Sequence, residues 1–569
     1  MDLYYDWKNR KLDDEDLVTE LNSIEGNEKE IFDRFRCDLA FGTGGLRGLI
    51  GAGTNRMNIY TVGKATQGLA DCLNKQNETG KELSVAIAYD SRNKGELFTR
   101  RCASILAANG IKVYVYSELA PTPALSFAVR FYGCDAGICV TASHNPAVYN
   151  GYKVYGSDGC QIGPAMADVI LEEMSKTDIF DGVKTVDYDK ALADGKIVLV
   201  DTEVFEAFFK CVKNESLLSD DVRNGEPLKI VYTPLNGAGR RSCMTVLGSE
   251  PCFDITVVKE QEMPDGNFPT CPYPNPENPD ALKLALALCK EIDADIMIAT
   301  DPDCDRCRTA AKTADGSYKA LSGNETGILL FDYIAKRKIE LGTMPNAPVA
   351  VTTIVSTVMA DSVAKKYGIE MRRVLTGFKY IGEQIALLEN DNETDRYLFG
   401  FEESCGYLSG PYVRDKDGVN AALLISEMAL YYKRMGLTLI EVFDSLCKEH
   451  GYYKEDLLNF SFEGAEGAVR MKEIIEELRN NPPAQIASSK VVSVKDYHKT
   501  GLREGEYNDE TGLPDSNVLE YNTESGCKVI IRPSGTEPKM KAYLSAVGTS
   551  AAEAEKILDI IRNDAFLKF

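Results

Sequence analysis

Nine short β-branched, apolar runs, each closing on polar or turn residues, constrain this chain more than any other feature. They are LSVAIAYDSRN (83–93), IKVYVYSELAP (111–121), AGICVTASHNP (136–146), LKIVYTPLNGAG (228–239), FDITVVKEQ (253–261), ADIMIATDPDCDR (294–306), APVAVTTIVST (347–357), IEMRRVLTGFK (369–379) and RYLFGFEES (396–404). Helical patterns alternate with them, so the chain predicts parallel sheets built from βαβ units. At 569 residues it exceeds the size at which one core stops growing. Three α/β domains account for the nine strands, with boundaries at 1–215, 216–322 and 323–447. From about residue 448 the pattern changes to GAVRMKEIIEELRNN, a polar stretch, one strand CKVIIRPSGTEPKMKAYLSA and a closing helix AAEAEKILDIIRND. That predicts a fourth, α+β domain over 448–569. PDGNFPTCPYPNPENPD (264–280) is too proline-rich for helix or sheet and predicts a long ordered loop in the second domain.

In open α/β sheets, ligands bind outside the carboxyl ends of the strands, which is where the polar clusters fall. One central cleft can collect them. The ligand class is narrowed by charge: 64 Lys and Arg against 87 Asp and Glu give −23, which argues against nucleic acid or a membrane surface as partner. A small anion remains compatible if the cleft is locally basic. No basic-then-apolar leader opens the chain, and no apolar run reaches the ~18 residues needed to span a bilayer, so a cytoplasmic enzyme is expected. The 16 cysteines are scattered, which predicts reduced, mostly buried thiols. Cys304 and Cys307 have C-x-x-C spacing, but the three histidines offer no zinc-binding partner spacing.

Each cluster has a chemistry. In IATDPDCDR, Asp301, Asp303 and Asp305 alternate after a strand, so three carboxylates converge on a hard cation; Mg2+ suits such a site. A calcium-binding EF-hand loop starting at Asp301 would need Gly and Glu where Arg306 and Lys312 stand. An aspartyl-phosphate phosphatase motif would need Thr or Val where Asp305 stands. The triad is expected on a surface-facing loop. Ser143 and His144 lie side by side in TASHNP without a G-x-S-x-G elbow, so the pair alone does not make a nucleophile, and Ser is a preferred capping residue of a helix or turn after a strand. In IRPSGTEPK, Arg532, Ser534, Gly535 and Thr536 have the makings of a phosphate cradle. GTGGLRG surrounds Arg47 with glycines that permit close approach of a ligand. Glu402 and Ser404, after a strand, can hydrogen-bond sugar hydroxyls, and VRDKDG adds Arg414 and Lys416. Together these groups describe phosphoryl transfer on a sugar.

The combination of TASHNP with DPDCDR, in a chain running from GTGGLRG to RPSGTEPK, closely resembles the α-D-phosphohexomutase family, specifically its branch of phosphoglucomutases and phosphopentomutases. The resemblance implies four domains around a central cleft, a phosphoserine at Ser143, and a metal held by Ser143, Asp301, Asp303 and Asp305. It implies Lys153 as general acid/base with His144 and Arg47 beside it, and Arg306 on the transferring phosphoryl group. Thr376, Gly377 and Lys379 match the family's substrate loop, and Glu402 and Ser404 its sugar-hydroxyl pair. The implied activity is interconversion of glucose 1-phosphate and glucose 6-phosphate through glucose 1,6-bisphosphate, with pentose or mannose phosphate as alternative substrates. Arg532, Ser534 and Thr536 would hold the distal phosphate. Two departures stand out: Cys304 within the aspartate motif, and Phe401, whose bulk is expected to narrow the sugar pocket toward a pentose. A sugar phosphatase using the same Ser143 and metal, or a non-catalytic sugar-phosphate sensor, would share parts of this pattern.

Overall fold

A computed structural model of the chain describes every residue except 1, 43, 201, 463, 503–505 and 534–538, with backbone alone at 464–466 and 468. All nine expected runs form strands, and they fall into three sheets. The first has seven strands in the order Phe41–Gly42, Gly45–Leu49, Tyr149–Gly156, Ala136–Val140, Ser84–Tyr89, Lys112–Tyr116, Ile197–Val200. The second runs Tyr318–Ala320, Cys307–Lys312, Ile296–Thr300, Leu228–Thr233, Phe253–Val257, and the third Glu370–Val374, Val349–Thr353, Tyr397–Glu402, Gly406–Leu408. Ala136–Val140, Ile296–Thr300 and Val349–Thr353 are buried at every position, as strands covered by helices on both faces must be.

The sheets are parallel in their middles, as βαβ units dictate, but one side of each is antiparallel. Ala136–Val140 turns back into Tyr149–Gly156, Ile296–Thr300 into Cys307–Lys312, and Tyr397–Glu402 into Gly406–Leu408, all antiparallel. The three polar clusters TASHNP, DPDCDR and EES are therefore hairpin connections, not the starts of crossover helices. Polar residues free of apolar periodicity cannot build a helix that covers a sheet, so the chain reverses on itself.

The last part of the chain forms a six-stranded antiparallel sheet in the order Tyr452–Ser461, Lys539–Gly548, Lys528–Pro533, Leu519–Thr523, Ser489–Asp496, Gln485–Ile486, with helices Gly464–Asn480 and Ala551–Arg562. The expected single strand over CKVIIRPSGTEPKMKAYLSA is two, paired from Lys528 with Ser545 to Pro533 with Met540. Ser534, Gly535 and Thr536 fall between them, outside the described residues. The polar stretch before them contributes three strands of this sheet, Gln485–Ile486, Ser489–Asp496 and Leu519–Thr523. Its alternation is hard to read because one face of Ser489–Asp496 is only half-buried.

The fourth sheet docks on the third through Lys528, whose ammonium, 8 % exposed as a residue, donates to the Ile354 carbonyl at 2.7 Å. A cavity of about 780 Å³ opens beside it, lined by Asp361, Arg372, Arg373, Lys495 and Glu520 among others. Burial first, then the Arg373 charge, push the Lys528 amine down to about 8. Unfolded, the same lysine keeps its proton up to the ordinary value of 10.5. The unfolded chain thus binds more protons between those two pH values, and stability rises with pH across that window. Lys528→Met is expected to flatten that rise, read as the difference between urea midpoints of wild type and variant at the two ends of the window.

Candidate active site

The three hairpin connections converge. Each holds a residue other than glycine in the left-handed region: Ser143 at φ 51°, Cys304 at 51° and Cys405 at 62°. Such a conformation costs roughly 1–2 kcal/mol per residue, and it persists where the surroundings over-determine it. At Cys304 the surroundings include Gly418 of the third domain, where a Cβ would lie 2.6 Å from the Cys304 carbonyl oxygen.

The aspartates form the centre. Oxygens of Asp301, Asp303 and Asp305 lie within 4.8 Å of one another, and the residues are 0–1 % exposed. The expectation of a surface-facing loop is therefore wrong: the loop protrudes from its own domain, but the first and third domains close over it. From the first domain, Lys153 Nζ donates to Asp303 Oδ2 at 2.9 Å and to Asp305 Oδ2 at 3.5 Å, and the Thr122 hydroxyl donates to Asp303 Oδ2 at 3.0 Å. From the third domain, Lys416 Nζ reaches Asp305 Oδ2 at 2.9 Å. The backbone N–H groups of Asp305 and Arg306 donate to Asp301 Oδ1 at 3.1 and 3.0 Å. Asp303 Oδ1 and Asp305 Oδ1 are buried with no hydrogen-bond partner. Two unsatisfied oxygens in a cluster of three carboxylates are what a hard divalent cation would occupy, so the residues fit a metal ion.

Ser143 meets this centre directly. Its hydroxyl donates to Asp301 Oδ2 at 2.8 Å and lies 3.2 Å from His144 Nδ1. It caps no helix; the capping alternative is excluded by its place in a hairpin turn. Burial, then the Arg306 and Arg47 charges, hold the His144 imidazole well below its ordinary pKa, so the ring is neutral at pH 7. Burial together with Asp303 and Asp305 raises Asp301 far above the usual carboxylate range. Burial opposes ionisation of Asp303 too, but Lys153 outweighs it and holds that carboxyl low. Burial alone would lower Lys153; Asp303 and Asp305 reverse this and keep it a firmly held ammonium.

Arg47 is exposed at the rim and donates to Asn145 Oδ1 at 3.4 Å. Gly45 beside it is required by the chain itself: a Cβ there would lie 1.9 Å from the Tyr152 carbonyl, because Gly45 pairs with Lys153 in the sheet. Arg306 Nη1 donates to Glu277 Oε1 at 2.9 Å, which brings the proline-rich loop to the cleft. Glu402 is buried, hydrogen-bonded to Ser404, and raised by burial although Lys416 and Arg306 pull it back. Both Glu402 and Lys416 crowd Gly406, where a Cβ would lie 2.8 Å from Glu402 Oε1 and 2.7 Å from Lys416 Cδ. Gly377, at φ 122°, starts the helix Phe378–Asn390, so Thr376, Gly377 and Lys379 stand at the same carboxyl edge of the third sheet as Glu402. Arg532 is half-buried at the end of its strand, hydrogen-bonded to Tyr543 and paired with Lys541. Arg414 is not part of the site: fully buried, it donates to Glu389 Oε2 at 2.6 Å behind the cleft.

Several residues at the site escaped the sequence reading. Thr122 opens a helix after SELAP, Glu277 lies in the loop assigned no chemistry, and Lys541 faces Glu403 and Glu277 from the fourth domain. Burial and the neighbouring Glu402 push Glu403 up to about 7. Asp90 and Arg92 sit at the polar end of a recognised strand, and that position was their only signal.

Models of the three α/β/α domains of the phosphoglucomutase/phosphomannomutase family match residues 38–179, 206–316 and 322–450. A protein named phosphoglucomutase from Staphylococcus haemolyticus is 35% identical over 515 residues, 90% of this chain and 91% of that one. The chain belongs to the phosphoglucomutase/phosphomannomutase family. Its members are mutases, enzymes of the isomerase class, which the α-D-phosphohexomutase resemblance implied. A Haemophilus influenzae relative named "Probable phosphomannomutase" is 35% identical over 528 residues, 90% of this chain and 99% of that one. In fold, the chain is similar to a Burkholderia thailandensis family protein with a TM-score of 0.66 at 20% identity, over 92% of this chain and 96% of the other.

Phe401 corrects one expectation about this pocket. It is 1 % exposed, stacks on Phe399 with centroids 5.8 Å apart, and packs against Gly327 in the core of the third domain. Strand alternation puts Glu402 toward the cleft and Phe401 away from it, so Phe401 does not narrow the pocket. Phe401→Ala is expected to cost about 3–5 kcal/mol of stability in urea unfolding, with the preference among sugar phosphates unchanged in kcat/KM.

Proposed function

We propose that this mutase interconverts glucose 1-phosphate and glucose 6-phosphate, with Ser143 as the phosphorylated residue and glucose 1,6-bisphosphate as intermediate and activator. The observation that carries the reading is the contact of the Ser143 hydroxyl with Asp301 inside a carboxylate cluster that also binds Lys153. A nucleophile, a metal-type donor set and an ammonium group within hydrogen-bond reach are the parts phosphoryl transfer requires. Relatives named phosphoglucomutase support glucose as the sugar.

Ser143, Asp301, Asp303 and Asp305 would hold Mg2+, which when bound supplies positive charge opposite the phosphoryl oxygens. The chain's own residues do the rest. Ser143 accepts and returns the phosphoryl group. Lys153, an ammonium while Asp303 and Asp305 face it, donates a proton to the sugar oxygen as the phosphoryl group returns to Ser143. It takes the hydroxyl proton in the other direction, once the aspartates are otherwise engaged and no longer hold it charged. Neutral His144 and the Arg47 and Arg306 guanidiniums bind the phosphoryl oxygens. Glu402 and Ser404 orient the sugar hydroxyls, while Thr376, Gly377, Lys379 and Lys416 line the approach. Arg532, with Ser534, Gly535 and Thr536, takes the distal phosphate, and the bisphosphate reverses between the two half-reactions. The four domains of this reading divide at 215/216, 322/323 and 447/448. Free thiols at all 16 cysteines support a reducing, cytoplasmic setting. Among the described residues no helix is long and apolar enough to cross a membrane. The net charge of −23 argues against nucleic acid as a partner, while small phosphosugars suit a cleft made locally basic by Lys153, Arg306 and Lys416.

Intact-mass analysis of the purified protein is expected to show a phosphorylated fraction that Ser143→Ala lacks, with mutase turnover lost in the variant; full activity of Ser143→Ala would contradict the assignment. EDTA is expected to abolish turnover and added Mg2+ to restore it. Among glucose, mannose and ribose 1-phosphates, glucose 1-phosphate is expected to have the highest kcat/KM. A higher ribose value would make the chain a phosphopentomutase, and a higher mannose value a phosphomannomutase. Glu402→Gln is expected to lower kcat/KM while Ser143 is still phosphorylated by the bisphosphate, because an unpaired hydroxyl in a buried site is costly.

A further inference from the structure

The loop that presents Ser143 is held from beneath by one side chain. Arg92, 3 % exposed, follows the strand Ser84–Tyr89 next to Ala136–Val140 in the first sheet. Its Nη1 donates to the carbonyls of Pro146 and Tyr149 at 2.9 and 3.0 Å. Its Nη2 donates to the carbonyls of Ser143 and Asn145. Four backbone carbonyls spread over seven residues thus close around one guanidinium. Asp90 forms an ion pair with that guanidinium, Oδ2 lying 3.5 Å from Arg92 Nε with both side chains fully buried, and its Oδ1 accepts the Arg92 backbone N–H at 3.0 Å. The same carboxylate accepts the Thr141 hydroxyl at 2.6 Å, and Thr141 Oγ1 accepts the Ser143 N–H at 2.8 Å. Ser143 is therefore gripped at its carbonyl by Arg92 and at its N–H through Thr141, on either side of the strained φ of 51°. A loop of the second domain covers the arrangement: the Arg92 guanidinium lies 5.2 Å from the Phe268 ring centroid, and Asn93 donates to Asn267 Oδ1 at 3.0 Å.

Resting on the mutase reading above, we propose that Arg92, oriented by Asp90, is a positioning residue for phosphoryl transfer: it holds Ser143 in its left-handed conformation with the hydroxyl aimed at Asp301. The side-chain chemistry explains the choice of residue. A planar guanidinium reaches four carbonyls at once from a buried position, whereas an ammonium has three donors at a single point. Ser143 must return to the same place in each cycle, as hydroxyl and as phosphoserine, and a loop tied at four carbonyls does not recoil between the two. The hydrogen bonds of the Arg92 side chain go to carbonyls of this loop, so it acts through the loop, while its charge also reaches Asp303 and Asp301.

The test is Arg92→Lys, in the full chain with Mg2+ present. Dephosphorylated enzyme is mixed with glucose 1,6-bisphosphate in a single turnover, and phosphoserine formation is followed by intact mass. One phosphoryl group leaves a sugar oxygen for Ser143 Oγ, and the serine proton passes to the sugar oxygen, releasing a monophosphate. Misplacing a reacting atom by about 1 Å costs on the order of 100-fold, so Arg92→Lys is expected to slow this step by about 100-fold. Steady-state kcat should fall in parallel, with KM for glucose 1-phosphate unchanged. A purely structural arginine would lower the melting temperature and leave the single-turnover rate of the folded fraction as in wild type, which would overturn the proposal; so would a loss that appears in KM. Should Arg92→Lys not fold, Thr141→Val removes the hydroxyl on the other side of Ser143 and is expected to slow the same step; a wild-type rate there is equally fatal. Wild type is run alongside. Its failure to become phosphorylated sinks the mutase reading and this proposal with it, whereas a phosphorylated wild type with an equally fast Arg92→Lys sinks this proposal alone.

Discussion

Three carboxylates packed within 4.8 Å of one another and withdrawn from water are the constraint on which the rest of the molecule depends. Burying one unpaired carboxylate is already costly, and like charges at this distance compound the cost. The chain answers with cations from two other domains, Lys153 from the first and Lys416 from the third. Two carboxylate oxygens, Asp303 Oδ1 and Asp305 Oδ1, still keep no hydrogen-bond partner, which fits a metal ion. The catalytic cleft and the domain interface are thus the same object. Removing the aspartates would relieve the electrostatics and leave the apolar core that the domains share.

The geometry that makes this meeting possible is repeated in each domain. A buried strand reaches its carboxyl end, passes through one left-handed residue and returns antiparallel. A hairpin connection is short and stiff compared with a crossover to a helix, so the groups it carries are fixed to the sheet behind them. Ser143 and the aspartates owe their positions to this, and Lys153 lies on the returning strand itself. The fourth domain is built differently. Its antiparallel sheet is tied to the third domain through Lys528, and it turns Arg532 and Lys541 toward the Glu403 and Glu277 side of the cleft.

Much of this was legible in the residues because strands and their polar ends have a local signature. The nine apolar runs became strands, and the alternation of Asp301, Asp303 and Asp305 survives as a cluster with a shared centre. What was not legible depends on contacts between distant segments. The burial of the aspartates comes from Lys153 and Lys416, which are remote in sequence and invisible to local pattern. Phe401 and Glu402 are neighbours in the chain, yet one faces the core and the other the cleft, and only the pairing of their strand decides which. Arg92 looked like an ordinary strand end because its partners are backbone carbonyls, which carry no sequence identity. The hairpin between Lys528–Pro533 and Lys539–Gly548 was read as one strand because both arms are apolar and continuous.

In the proposed reaction Ser143 passes its phosphoryl group to a sugar and takes it back, with water excluded. It is tested most directly by loading Ser143 with 32P from labelled bisphosphate, removing excess reagent, and adding unlabelled glucose 1-phosphate with Mg2+. The label is expected to leave the protein within the first turnovers and to appear in sugar phosphates, with none in inorganic phosphate. Label released as inorganic phosphate, or retained on the protein while product forms, would contradict it.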